Sequence, residues 1–166
     1  MSHPEQQSYP DPVYSGSGEV SATCRPSGSE HQLGEEPGNT VDYLALGTDT
    51  AGGFGLYRWN FGAHVSGPDL HFHRTISESF YILSGTVRIH DGNRWLDTTS
   101  GDFVHVPAGG VHGFRNESGE PASMLLLFSP GAPREEYFET LFAQGTASMT
   151  DEEKAAFYLR HDNHWL

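Results

Sequence analysis

From Val41 to Phe128 the chain is written as short apolar runs, each cut after a few residues by Gly, Asn, Asp or Pro. That punctuation is the strongest constraint on the fold, because it is the pattern of successive antiparallel strands and their turns. The runs predict strands at 41–47, 54–61, 70–74, 79–84, 86–90, 94–98, 102–106, 112–116 and 123–128. Asp91-Gly92, between Thr86-Val87-Arg88-Ile89 and Arg94-Trp95-Leu96, suits the positive φ angles of a tight hairpin, and Ser84-Gly85 separates the preceding pair. An open sheet of so many short strands would leave long edges exposed. The expectation is an all-β fold closed into a barrel or a double-sheet jelly roll.

The flanks read differently. Residues 1–39 are dense in Pro, Ser, Gly and Glu with scarcely any large apolar side chain, so ordering them would cost entropy that little burial offsets. They are expected to form a flexible tail, with a docked strand around Val13 to Val20 as the alternative. Past Ser129-Pro130-Gly131 the period becomes helical: Tyr137, Phe138, Leu141 and Phe142 share one face of 134–143. Thr150 and Glu153 form a capping-box pair that starts a second helix. The organisation expected is a tail (1–39), a β domain (40–130) and a helical extension (131–166) covering its outside or one end.

Nine basic against 22 acidic residues give a net charge of −13, which repels phosphate backbones and anionic lipid and argues against nucleic-acid or membrane partners. No segment approaches the roughly 20 apolar residues of a membrane span, and MSHPEQQSYPDP has neither the basic start nor the apolar stretch of an export signal. A cytoplasmic location is expected by default. Cys24 stands alone, without the company of a disulfide, redox or zinc motif.

The chemistry concentrates around Leu70-His71-Phe72-His73. Side chains alternate along a strand, so His71 and His73 point the same way and Phe72 points oppositely. Glu78 follows five residues later, and the Pro/Gly turn Val106-Pro107-Ala108-Gly109-Gly110-Val111 delivers His112 onto another strand. Three neutral imidazoles and one carboxylate suit iron, nickel, manganese, copper or zinc better than calcium or magnesium. Structural ions favour closed, thiolate-rich sets, whereas three His and one Glu leave coordination positions open for a substrate.

These residues resemble the cupin superfamily, whose first motif reads G(x)5HxH(x)3–4E(x)6G and whose second reads G(x)5PxG(x)2H(x)3N. His71-x-His73-x4-Glu78-x6-Gly85 fits the first except at its opening glycine, where Val65 stands and Gly67 lies two residues late. Gly101-x5-Pro107-x-Gly109-x2-His112-x3-Asn116 fits the second completely. The resemblance covers residues 41–130. It implies a double-stranded β-helix, or jelly-roll barrel, with C-terminal helices, in which His71, His73, Glu78 and His112 hold one divalent transition-metal ion. Gly85, Gly101, Pro107, Gly109 and Asn116 would shape the turns, and a homodimer is the expected assembly.

Within that superfamily, the stretches Glu78-Ser79-Phe80-Tyr81-Ile82-Leu83-Ser84-Gly85 and Gly101 to Asn116, followed by Leu125-Leu126-Leu127-Phe128, are similar to the small single-barrel group resembling quercetin 2,3-dioxygenases. That similarity implies a dioxygenase acting on a small aromatic (flavonol-like) or enolisable substrate, with Glu78 accepting its proton. Cupins with the same ligands also isomerise, decarboxylate, cyclise or bind small molecules without turnover, so these stand as alternatives. Of the remaining histidines, His105 lies nearest the second motif and is the candidate to support a ligand from behind. Tyr57, Trp59, Phe61, Phe80, Phe114, Met124 and Phe128 are candidates for core or for the lining of a pocket.

Overall fold

The structure is a computed structural model that describes residues 9–166; the first eight residues of the expected tail, His3 among them, lie outside the described residues. The strands are β1 (Leu33–Gly34), β2 (Thr40–Ala45), β3 (Gly55–Phe61), β4 (His71–Phe72), β5 (Ser77–Ser84), β6 (Thr86–His90), β7 (Trp95–Thr99), β8 (Phe103–Val106), β9 (Gly113–Arg115) and β10 (Ala122–Ser129). Then follow α1 (Glu135–Phe142), a 3-10 turn (Gly145–Ser148), α2 (Asp151–Arg160) and β11 (His164–Trp165). Every apolar run carries a strand. Two strands that the pattern did not mark, β1 and β11, are two residues long and are made by pairing alone. No strand forms at 13–20, where Val13 and Val20 are fully exposed.

The expected barrel closure is not what forms. The strands divide into a six-stranded sheet in the order β1-β2-β3-β10-β5-β8, a three-stranded sheet β7-β6-β9 and a two-stranded pair β11-β4, none of them closed on itself. The fold is all-β with C-terminal helices and open sheets. Between them, pairing is reduced to isolated bridges, Ser66 with Asn116 and His71 with His112. The sequence around these bridges explains the break. Pro68 precedes β4 and Pro107-Ala108-Gly109-Gly110 precedes β9, and a chain interrupted by residues without an N–H or without a side chain to pack cannot sustain a long ladder.

The core follows from alternation. Along β10, buried Ala122, Met124, Leu126 and Phe128 alternate with half-buried neighbours, the period of a strand with one face inward. Leu126 lies between Tyr57 of β3 and Phe80 of β5, and all three are essentially inaccessible. α1 lays its apolar face on this sheet: Phe138 meets Tyr57 and Trp59 edge-on at centroid distances of 5.3 and 5.4 Å. α2 begins as its sequence predicts. The Thr150 hydroxyl accepts from the Glu153 N–H at 3.2 Å, and the Glu153 carboxylate accepts from the Thr150 N–H at 2.8 Å. No helix among the described residues is long and apolar enough to cross a membrane.

These contacts rank in energy. Leu126→Ala, which empties a buried site between two aromatic rings, should cost about 2–5 kcal/mol of stability, and Thr150→Ala, which removes one exposed cap, about 1 kcal/mol. Urea unfolding midpoints of the two variants check the order.

Candidate metal centre

Three short elements bring the four expected ligands together. His71 and His112 exchange both backbone hydrogen bonds across their bridge, N–H to C=O at 2.9 Å each way, and this sets their rings side by side at 4.4 Å between centroids. Two residues on, His73 points to the same side, and its carbonyl accepts the Gly109 N–H at 2.6 Å, tying the first motif to the turn of the second. Glu78 is the second residue of β5, opposite Phe128 of β10 and Val106 of β8. His71, His73, Glu78 and His112 are all buried, and one donor atom from each lies within 4.8 Å of the others. That is close to the span a single ion can bridge with bonds of about 2.1 Å.

The hydrogen bonds behind the rings decide which nitrogen faces the cluster. Nδ1 of His71 lies 2.9 Å from the Asp69 carbonyl, Nδ1 of His73 2.7 Å from the Asp162 carbonyl, and Nδ1 of His112 2.9 Å from the Gly110 carbonyl. A carbonyl only accepts, so each Nδ1 carries a proton and each Nε2 is left to face the cluster, protonated where it donates to a carboxylate and offering a lone pair where an ion is bound. Nε2 of His73 and of His112 then lie 3.1 and 2.7 Å from the same oxygen, Oε2 of Glu78. Lone pairs facing a carboxylate repel unless a positive charge sits among them. The donor set therefore fits a divalent cation, and the buried three-histidine, one-glutamate cluster is capable of coordinating one.

Protonation preferences carry the same signature. Burial, together with the neighbouring His112, pushes the His71 imidazole down to about 4. Burial alone would raise the Glu78 carboxyl, but the hydrogen bonds from His112 and His73 outweigh it and hold Glu78 below the ordinary carboxylate range. Burial likewise opposes a charge on His112, yet its bond to Glu78 prevails and raises it.

A cavity of about 810 Å³ opens onto the cluster, with His71 and Glu78 in its wall. Of the aromatic candidates, Trp59, Phe114 and Phe128 line it, while Tyr57, Phe61, Phe80 and Met124 are core. The C-terminal elements supply much of the remaining wall, including Arg134, Tyr137 and Trp165. Sequence periodicity gave these residues no role beyond packing. Nor did it mark Asp162, whose carbonyl orients His73 while its carboxylate accepts the backbone N–H groups of Arg74 and Thr75. His105 does not support a ligand. It is exposed on β8, paired with the Ser79 hydroxyl at 2.9 Å, because Ser79 and His105 are cross-strand partners on the face opposite Glu78. The glycine of the first motif lies where the sequence puts it late: Gly67 has φ +141°, and a Cβ there would stand 1.9 Å from the Phe114 carbonyl. Val65, by contrast, is exposed.

Comparison with known proteins agrees with this architecture. Residues 57–128 match the Cupin domain family. Over 71 residues, 43% of this chain, the sequence is 35% identical to quercetin 2,3-dioxygenase of Bacillus subtilis (strain 168); the match spans 20% of that protein's length. Among solved structures, the polyketide cyclase RemF from Streptomyces resistomycificus aligns with a TM-score of 0.55 at 22% identity, covering 68% of this chain and 81% of that one. An RmlC-like cupin from Shewanella frigidimarina also gives 0.55, at 19% identity over 70% and 96% of the two chains. The fold is that of the cupin superfamily.

The protonation pattern predicts an acid-side loss of stability in chelator-treated protein. The unfolded His71 imidazole takes up a proton below about pH 6.5, but the folded one resists until about 4. More protons are then bound by the unfolded state, and stability falls by about 3 kcal/mol as pH drops through that window. The contribution of Glu78, present above its unfolded value, is lost at lower pH still, as pH falls through its folded value. His112 acts oppositely: its contribution is present below its unfolded value and is lost as pH rises through the folded one. Urea midpoints between pH 4 and 7 should show the slope, and His71→Gln should flatten it.

Proposed function

We propose that the chain is a metal-dependent dioxygenase in which His71, His73, Glu78 and His112 hold one iron, nickel, manganese, copper or zinc ion. The substrate would be a small hydroxylated aromatic (flavonol-like) or enolisable compound, and Glu78 would be the base that takes its proton. One observation carries this reading: three Nε2 lone pairs and a buried carboxylate converge at the wall of a cavity lined by aromatic rings. The partial likeness to quercetin 2,3-dioxygenase supports it.

A bound ion would polarise the substrate oxygen and, if redox-active, carry electrons between substrate and dioxygen. The protein does the rest. Backbone carbonyls of Asp69, Asp162 and Gly110 hold the imidazoles in one tautomer. Trp59, Phe114 and Phe128 give a ring compound apolar faces to lie against. Glu78 has both histidine contacts on Oε2, so Oε1 is left to receive a proton, a task that neutral imidazoles with their lone pairs engaged cannot share.

Metal analysis of protein purified without a histidine tag should find roughly one transition-metal ion per chain, and His112→Ala should lower it, since His112 is held to the other ligands only by the fold. Unchanged stoichiometry in that variant would sink the ligand assignment. Glu78→Gln should keep much of the metal and lose about 10²–10⁴ in turnover, followed as oxygen uptake with flavonols and enolic acids. Substrate consumed without oxygen would place the reaction among non-redox Lewis-acid conversions.

A further inference from the structure

In the wall of the cavity onto which the candidate metal centre opens, Arg134 is buried at 3% exposure and forms no ion pair among the described residues. Its Nη1 donates to the carbonyl of His161, its Nη2 to Oδ1 of Asn163 at 2.9 Å, and its buried Nε–H has no acceptor. Aromatic faces take the place of a counter-charge: the guanidinium carbon lies 4.3 Å from the Tyr137 ring centroid and 5.2 and 5.6 Å from those of Phe128 and Phe138. Asn163 passes the polarity on, its Nδ2 donating to the Tyr137 hydroxyl at 3.1 Å. The phenol thus accepts, and its own proton has no acceptor among the described residues. The indole N–H of Trp59 is likewise buried without one. Arg134, Tyr137, Asn163 and Trp59 all line the cavity.

This wall of the cavity is therefore rich in donors and carries one fixed positive charge, which feels the carboxylates of Glu78 and Asp162 but pairs with neither. Arginine keeps its charge even when burial disfavours it, and a buried charge is costly until an opposite one arrives. The remaining N–H groups of a planar guanidinium suit a carboxylate, and a single cation balances a monoanion better than a phosphate dianion. We propose that Arg134 and Tyr137 bind the carboxylate of a small aromatic or enolisable organic acid whose other end reaches the metal centre. The substrate class is thereby narrowed to acids. This assignment rests on reading His71, His73, Glu78 and His112 as that centre.

The test uses zinc-loaded protein and two probes of nearly equal shape, 3-phenylpropanoate and its uncharged amide, followed by titration calorimetry. The wild-type chain should bind the acid at least about tenfold more tightly than the amide. Arg134→Met should bring the two within about twofold by weakening the acid alone, and Tyr137→Phe, which keeps the ring under the guanidinium, should weaken the acid by about fivefold. A merely structural Arg134 would weaken acid and amide together, and that result overturns the proposal. Equal affinity for the two probes in the wild type, or no acid binding, overturns it as well. If Arg134→Met does not fold, Tyr137→Phe decides alone: an unchanged acid-to-amide ratio refutes the carboxylate site. Metal content measured on the same samples separates the two readings. A preserved acid preference in protein that takes up no zinc supports the anion site and refutes the metal centre, while full zinc with no preference does the reverse.

Discussion

Two backbone hydrogen bonds between His71 and His112 join the two ligand-bearing segments at the site itself, and its chemistry depends on them. Each residue uses its peptide group to hold the other and its imidazole to face the same point, so the spacing of the two rings is a property of the main chain. Side-chain repacking cannot easily disturb it. The carbonyls behind the three rings complete the arrangement, because they remove the freedom of tautomer and rotation that an isolated imidazole would keep. What remains is a convergence of lone pairs on one carboxylate. With the imidazoles neutral, such a grouping suits a cation.

Much of this was legible in the residue order, and for physical reasons. Strand alternation puts His71 and His73 on one side, and that holds in three dimensions. The two motifs likewise bring Glu78 and His112 to the same cluster. Sheet closure was not legible, since it depends on whether short segments beside Pro68 and Pro107 continue a ladder, and they contribute single bridges instead. Nor was the helical wall of the cavity. Arg134 reads as a helix-flanking charge and Tyr137 as one apolar position among several, and only the packing of α1 on β3 reveals that both face a cavity. His105 shows the converse limit: proximity in sequence to a motif carries no weight when alternation sends the side chain to the outer face.

The helices are accordingly more than a cover. Tyr137 and Phe138 seal the aromatic core from one direction while Arg134, at the head of the same helix, introduces a lone cation into an apolar wall. The C-terminal segment is bound into this wall twice, through the contacts of Arg134 with His161 and Asn163 and through the pairing of β11 with β4. Cavity and cluster thus share their supports, and a change at either is felt by the other through a few residues.

The carbonyl that orients His73 belongs to Asp162, 89 residues further along the chain. Ribosomes extend a polypeptide at about 5–20 residues per second, so roughly 4–18 s separate the synthesis of the imidazole from that of the group that aligns it. For that interval all three ligand-bearing segments can emerge and pair while His73 lacks the carbonyl that orients it. Final alignment of the site therefore follows the synthesis of all the strands that carry its ligands.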